Sequence, residues 1–322
     1  MSTEKALLEL LSDGEWHSGT ALADSLNVSR TAVWKQLNRL MAAGVEVERV
    51  RGRGYRLGES VDLLSEPAIV AALPEPIRDR LDLHVFGDIG STNQFLMEVP
   101  TPSTADIQAA IADRQTAGRG RRGRVWQSPA GCNIYLSLAM NLRSGFEGLG
   151  GLSLVAGLGV IRALESEGLS GAGLKWPNDV LWGHQKLAGI LIELSGEIEG
   201  GVRVIVGVGV NVHQPPENVG IDQPWTCLDA VAPDVGWRRS ALAARLTGTL
   251  ADHLSAFDRE GFWAFREAWQ SMDAFRGRPV RTEPASFEGV GAGVTSSGSY
   301  RIETADGIRE VTAGELSLRP LT

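Results

Sequence analysis

The sequence predicts an α/β (α+β) chain in three parts: a winged helix-turn-helix over residues 1–60, a central α/β domain over 61–273 and a small β-barrel over 274–322. Three observations carry this. Short amphipathic helices, two of them joined by a tight turn, precede a basic hairpin. Strand-like and helical runs then alternate, the mark of an α/β sheet. After Phe275 only short alternating strands remain, and Asp306-Gly307 between two of them is a strong hairpin signal. At 322 residues the chain is long enough for two or three domains and a sizeable core.

Ala6, Leu7, Leu10 and Leu11 recur at helical spacing over residues 4–12, and Asp13-Gly14 stops that helix as glycine past the last turn commonly does. Ser18 is placed to cap a second helix carrying Ala21, Leu22 and Leu26. Asn27-Val28 turns the chain, and Ser29 caps a third helix, Arg30 to Ala42. Helix, short turn, helix is the helix-turn-helix layout. On the third helix Val33, Leu37 and Leu40 form an apolar stripe. The other side carries Thr31, Lys35 and Asn38, flanked by Trp34 and Arg39, a polar and cationic face that suits a DNA major groove. Val45 and Val47 alternate with Glu46 and Glu48 as a strand, Arg51-Gly52-Arg53-Gly54 turns, and Tyr55-Arg56-Leu57 returns as the second strand of a wing. A helical bundle with a charged hairpin would share these features, because the layout also occurs without DNA.

Gly58 to Pro76 reads as a linker with a short helix from Pro67 to Leu73. Strands follow at Asp106–Ala112, Asn133–Ala139, Leu187–Leu194 and Val202–Val212, with helices at Leu152–Ser166, Ser240–Phe257 and Phe262–Trp269. The tail strands fall around Val280, Phe287–Val294, Tyr300–Thr304 and Ile308–Val311.

A net charge of −8 argues against a protein that coats nucleic acid over its whole surface. The average hides a local bias. Residues 29–57 carry Arg30, Lys35, Arg39, Arg49, Arg51, Arg53 and Arg56 against Glu46 and Glu48, a cationic patch in an acidic chain. Two cysteines, Cys132 and Cys227, imply no disulfide framework, and the five histidines show no ligand spacing, so no metal site is expected. The first residues lack a basic stretch followed by an apolar one, and no apolar run is long enough to span a bilayer. A cytoplasmic protein without membrane contact is the expectation.

The chemistry concentrates in Gly118-Arg119-Gly120-Arg121-Arg122-Gly123-Arg124. Glycine lets a backbone wrap a ligand closely, and arginine offers forked donors for phosphate or carboxylate. A basic surface loop is the plainer reading, but Trp126, Pro129 and an apolar strand follow at once. Gly118, Gly120 and Gly123 also spell a dinucleotide fingerprint; that motif needs a helix directly after it, and Pro129 stands against one. Four further stretches join the loop. Asp88-Ile89-Gly90-Ser91-Thr92-Asn93-Gln94 gathers hydroxyls and amides after the strand His84–Gly87, although Ser91 or Thr92 could equally be a plain helix cap. Lys175-Trp176-Pro177-Asn178-Asp179 is a turn with a cation, an amide and a carboxylate. Lys186–Glu193 sets a lysine at the mouth of a buried strand, and Gly207–Asn211 ends another in close-approach glycines and an amide. No nucleophile and base pair stands out, so covalent catalysis through a side chain is not indicated. Cations without a nucleophile suit adenylation, where a substrate carboxylate attacks the α-phosphate of ATP.

These motifs, in this order, resemble the bifunctional biotin protein ligases that double as biotin-operon repressors, and the resemblance covers essentially the whole chain. It implies a catalytic domain like class II aminoacyl-tRNA synthetases, rich in antiparallel strands, and an SH3-like C-terminal barrel. It implies ATP and biotin as ligands with Mg2+ on the phosphates, and the biotin carboxyl carrier protein of acetyl-CoA carboxylase as acceptor. Operator DNA and a ligand-promoted homodimer follow as further partners. By the same resemblance Ser91, Thr92, Asn93 and Gln115 would hold the ureido ring of biotin and its surroundings, and Gly118, Arg119, Arg121 and Lys186 the carboxylate and phosphate. Gly189 and Gly207 would line the thiophane pocket. Trp126 would pack against adenine, with Arg124, Lys175, Asn178 and Asn211 at the nucleotide. Arg121, Lys186 and Asp179 would carry catalysis, Asp179 orienting the acceptor amine or taking its proton. Ser29, Arg30, Thr31, Trp34, Lys35, Asn38, Arg39, Arg51 and Arg53 would meet DNA. The stretches 195–202 and 214–225 carry no family motif, so dimer contacts near them do not transfer.

Three other readings stay open at this point: a transcription factor that only senses a metabolite, a lipoyl or octanoyl protein ligase, and a ligase whose winged helix has lost its operator. The full set of anion-binding motifs disfavours the first, the Gly-Arg-Gly-Arg-Arg-Gly pattern the second, and the basic wing the third.

Overall fold

The computed structural model describes all residues except 1–2, 12–13, 43–44, 46, 59–61, 103, 199–200, 216–219, 222, 284–286, 313–316 and 322. The N-terminal part is α1 (Thr3–Leu11), α2 (Gly19–Leu26), α3 (Arg30–Ala42) and an antiparallel hairpin of β1 (Val47–Val50) and β2 (Gly54–Leu57). Its caps are those the sequence implies. The Ser18 hydroxyl accepts the Ala21 N–H at 3.0 Å and that of Ser29 the Ala32 N–H at 3.1 Å, and Asn27 closes α2 in the left-handed region. Leu7, Leu11, Leu22, Val33, Leu37, Leu40, Val45 and Leu57 form a separate small core. Asp13 at the first helix stop, Glu46 of the wing and the 60/61 boundary lie outside the described residues.

The central part opens with α4 (Glu66–Ala72) and α5 (Glu75–Arg78), then runs β3 (Leu81–Ile89), α6 (Thr92–Glu98), β4 (Ile107–Gln115), β5 (Asn133–Leu142) and α7 (Leu152–Ser166). It continues through β6 (Gly173–Lys175), β7 (Asp179–Trp182), β8 (Gln185–Ile198), β9 (Gly201–Asn211), α8 (Leu228–Val231), α9 (Arg239–Glu260) and α10 (Arg266–Ser271). One seven-stranded sheet results, in the order β3-β4-β5-β9-β8-β7-β6, parallel only between β3 and β4. The antiparallel-rich sheet is the expected one. The sequence reading missed β6 and β7, three and four residues long and separated only by the Trp176-Pro177-Asn178 turn. Phe262–Phe265 is a 3₁₀ turn leading into α10 where one continuous helix was expected.

Side chains alternate between the two faces of a strand, and this alternation positions the site. Ile134, Leu136 and Leu138 of β5 and Val204, Val206, Val208 and Val210 of β9 face the main core with α7 and α9. The intervening residues, Tyr135 and Ser137 of β5 with Gly207 and Gly209 of β9, therefore lie on the opposite face. Further along that face Ala110, Ala139 and Ile205 pack under Leu96 of α6.

The tail forms β10 (Pro279–Glu283), β11 (Glu288–Val294), β12 (Tyr300–Thr304), β13 (Gly307–Val311) and β14 (Ser317–Pro320), an antiparallel sheet in the order β13-β12-β11-β10-β14. A strand-rich antiparallel tail is as expected; among the described residues it is an open sheet with β13 and β14 at its edges. Burial does not break at 273/274: Val280, Val294, Tyr300, Ile302, Val311 and Leu318 join the same buried cluster as the central helices and sheet. No described helix is long and apolar enough to cross a membrane.

Candidate active site and nucleic-acid interface

A recess opens on the free face of the central sheet, and its walls come from distant parts of the chain. Ser91, Thr92, Asn93, Gln115, Arg119, Arg121, Arg124, Trp126, Lys175, Asn178, Asp179, Lys186, Gly189 and Gly207 all line it. Asn211 lines an adjoining recess that shares Arg124, Trp126, Lys186 and Arg319. Gly118 lines neither. A Cβ there would stand 2.5 Å from the Trp126 carbonyl and 2.7 Å from the Ser128 hydroxyl, so packing within the loop already demands glycine.

One end of the recess is neutral and polar. Ser91 caps α6, as the plainer reading held, with its hydroxyl accepting the Gln94 N–H at 3.4 Å. Gln115 Oε1 accepts both the N–H and the hydroxyl of Thr92, at 2.9 and 3.1 Å. Fully buried Ser137 lies 2.7 Å from Thr92 Oγ1 and 2.5 Å from Asn93 Oδ1. Asn93 in turn donates to Glu193 at 2.7 Å. Such a network fixes the amide and hydroxyl orientations before any ligand arrives.

The other end is cationic. The arginine loop contains one 3₁₀ turn, Arg121–Gly123, with Arg122 in the left-handed region at φ 58°. The Gly120 N–H to Arg124 carbonyl bond at 2.7 Å and the Trp126 N–H to Gly118 carbonyl bond at 3.0 Å close it into a tight loop. Arg119 meets Glu193 at 3.2 Å, and Arg121 donates to Asn178 Oδ1 at 3.0 Å while Asn178 donates to the Ile190 carbonyl at 2.9 Å. Opposite, Asp179 begins β7, almost fully buried, between Lys186 Nζ at 2.7 Å and Lys175 Nζ at 3.4 Å. Burial alone would raise the Asp179 carboxyl; the two lysines outweigh it and hold it below the usual carboxylate range. Burial pulls Lys175 and Arg121 downward, with Arg122 adding to the effect on Arg121.

Between the two ends lies a floor without side chains. Gly189 of β8 pairs with Gly209 of β9, and Gly207 pairs with Leu191. A Cβ on Gly209 would meet the Trp126 ring at 2.5 Å, one on Gly189 would meet it at 2.8 Å, and one on Gly207 would meet Asn93 at 2.4 Å. The indole therefore lies flat on bare backbone, with Lys186 Nζ 5.0 Å from its centroid. Its buried Nε1 has no hydrogen-bond partner among the described residues, and an acceptor on a ligand could satisfy it. Among the described residues no group of three or more His, Cys, Asp or Glu side chains could hold a metal ion.

The sequence reading missed several groups. Arg319 of β14 enters both recesses from the far end of the chain, and Tyr135, Gly209 and Gln223 also line the wall. Ser137 and Glu193 tie its polar end together. Gly209 and Glu193 sit inside stretches already singled out, whereas nothing near Arg319 signals a site.

On the N-terminal part a surface cleft between the start of α2, the start of α3 and the wing is lined by Arg30, Thr31, Trp34, Arg49, Arg51 and Arg53 together with Ser18 and Thr20. The Arg53 and Arg56 guanidinium groups lie over the Trp16 ring at 5.2 and 5.1 Å. Ser29 caps α3 beside this cleft. Lys35 and Arg39 are exposed further along α3 and Asn38 is half-buried.

Comparison with known proteins gives a consistent picture. Residues 86–211 match the biotin/lipoate A/B protein ligase family model and residues 3–56 an HTH domain model. The bifunctional ligase/repressor BirA of Escherichia coli (strain K12) is 36% identical over 97% of this chain and 96% of its own length. That of Bacillus subtilis (strain 168) is 30% identical over 98% of both. Biotin protein ligase from Aquifex aeolicus, solved in complex with biotin and ATP, superposes with a TM-score of 0.66 at 33% identity, over 74% of this chain and 99% of that one.

Proposed function

The chain belongs to the BirA family of bifunctional ligase/repressors, and from that premise we propose that it joins biotin to a lysine of a biotin carboxyl carrier protein through biotinyl-5′-AMP, and represses transcription through its winged helix. The observation that carries the reading is the two-ended recess: a pre-set neutral hydrogen-bonding end and a cationic end, bridged by a glycine floor under Trp126.

The biotin carboxylate attacks the α-phosphorus of ATP, and pyrophosphate leaves. Thr92, Asn93 and Gln115 hold the neutral head group by hydrogen bonds. Arg119, Arg121 and Lys186 stabilise the negative charge that develops during attack, which is where preorganised donors contribute most. Arg124, Lys175, Asn178, Asn211 and Arg319 meet the nucleotide, and Trp126 packs against its base. Magnesium would come with the ATP phosphates and neutralise their charge; among the described residues no cluster of three or more carboxylate, His or Cys side chains is placed to hold it. In the second step the acceptor amine attacks the mixed anhydride and AMP leaves. Asp179 is held below the usual carboxylate range and is a weak proton acceptor. Its role is to hold Lys186 and to orient the incoming amine, whose proton passes to solvent as the amide forms and AMP leaves. Biotin-dependent exchange of pyrophosphate into ATP, with no acceptor present, tests the first step; its absence would leave only a metabolite-sensing regulator.

A single winged helix covers one half-site, so repression calls for a two-fold dimer on a roughly palindromic operator. Arg51 on the wing meets phosphate and Asn38 on α3 reads bases. Arg51→Ala should weaken binding to all DNA sequences alike and lower the salt slope by about 1, whereas Asn38→Ala should change sequence preference by about 1–3 kcal/mol at one base position. Titrations at several salt concentrations with operator and scrambled DNA measure both; a purely uniform effect of Asn38→Ala would remove α3 from base reading.

A further inference from the structure

Behind the β6–β7 turn, outside the recess, a buried polar pair ties the C-terminal sheet to the strand that ends in Lys175. Tyr300, fully buried at the start of β12, donates its hydroxyl to Asp273 Oδ2 at 2.8 Å. The other carboxylate oxygen accepts the Phe275 N–H at 2.9 Å. Backbone bonds stitch the residues on either side of Asp273 to β6: the Leu174 N–H donates to the Met272 carbonyl at 2.7 Å, and the Ala274 N–H to the Leu174 carbonyl at 2.8 Å. Leu174 directly precedes Lys175. On the other side of Lys175, the buried Trp176 ring lies 5.9 Å from the Tyr300 ring, and its indole N–H donates to the Gly298 carbonyl at 3.0 Å. Both neighbours of Lys175 are thus held by groups that the C-terminal sheet supplies or anchors.

The seat is tightly built. A Cβ on Gly291 of β11 would stand 2.5 Å from the Tyr300 hydroxyl and 2.3 Å from the Phe275 carbonyl. Burial pushes the Asp273 carboxyl up to about 6, although Phe275, Tyr300 and Arg276 all favour its ionised form. A carboxylate kept at such a cost is hard to explain by packing alone, since an apolar side chain would fill the space without that cost. What it adds is direction, because two donors fix it in one orientation.

We propose that Asp273 and Tyr300 are positioning residues that set the β6–β7 turn from the C-terminal sheet, and thereby place Lys175 and Asp179 for adenylation and transfer. This rests on the ligase reading for its catalytic consequence, but the mechanical tie can be read without activity.

The test uses the full chain with Tyr300→Phe, which keeps the ring and removes only the hydroxyl. Amide exchange at Leu174 and Ala274 should quicken, and the Trp176 indole N–H resonance should shift. The kcat for adenylate formation should fall about tenfold and KM for ATP rise, with KM for biotin unchanged, within the ~10²-fold range that a 1 Å misplacement can cost. Asp273→Asn added to Tyr300→Phe should cost little more than either change alone, because both break the same tie. Val280→Ala, which removes packing from the same sheet at a position whose strand partners are Gly289 and Pro320 rather than Tyr300, should lower stability and leave kcat intact. An unaltered kcat or unaltered exchange in Tyr300→Phe would overturn the proposal, as would an equal loss of kcat in Val280→Ala. A wild-type protein that forms no adenylate while the exchange and resonance still respond would instead overturn the ligase reading and leave the tie standing.

Discussion

Lys186→Ala is expected to slow adenylate formation by on the order of 10²–10³, the range for removing one preorganised donor, or about 2.7–4 kcal/mol of transition-state stabilisation. Two effects of the truncation add. The ammonium 2.7 Å from Asp179 also lies over Trp126, at the junction of the cationic end and the glycine floor. Its loss removes a donor to the developing charge and leaves the buried Asp179 with Lys175 alone, at 3.4 Å. Uncompensated buried charge is costly, so the variant should lose thermal stability as well. Single-turnover formation of biotinyl-5′-AMP without acceptor separates the two effects, provided it is measured well below the variant's own melting transition. A full-speed Lys186→Ala protein would place the chemistry elsewhere.

The second large effect belongs to Gly209→Ala. One methyl group would stand 2.5 Å from two carbons of the Trp126 ring, and a rigid indole on a backbone floor cannot give way at its tip as a flexible chain would. Overpacking of this kind typically costs about 1–3 kcal/mol. If that cost falls on the state that binds ATP, affinity drops roughly five- to a hundredfold at 1.4 kcal/mol per tenfold. Calorimetric titration with a non-hydrolysable ATP analogue measures it. Adding Trp126→Ala to Gly209→Ala should remove the steric part of the loss, because the methyl group then has nothing to strike. Equal ATP affinity in wild type and Gly209→Ala would mean that the seat of Trp126 is irrelevant to the nucleotide.

The glycine floor also indicates how far residues alone could be read. Only the family resemblance singled out Gly189 and Gly207 as pocket-lining positions, and the space a side chain there would enter belongs to Trp126 and Asn93 of the same chain. A sequence can mark where a Cβ is intolerable; what occupies the space depends on strands brought side by side from far apart. The winged helix was legible almost to the residue, since its caps and apolar stripe are local. Strands β6 and β7 were not, because three or four residues beside a Trp-Pro turn show no alternation to detect. Ser137 was invisible within the apolar run of β5, where its face is decided by pairing with Gly207 of β9. Arg319 was invisible for another reason: it reaches the recess only because the C-terminal sheet shares the central core.

The reaction itself provides the most direct test. Full-length protein is incubated with biotin, ATP, magnesium and a purified biotin carboxyl carrier domain, and the domain is then weighed intact and mapped by peptide mass spectrometry. One biotinyl group on one lysine is expected, strictly dependent on ATP, with AMP and pyrophosphate as the other products. A carrier domain that stays unmodified, or that accepts a lipoyl or octanoyl group under matched conditions while refusing biotin, would contradict it.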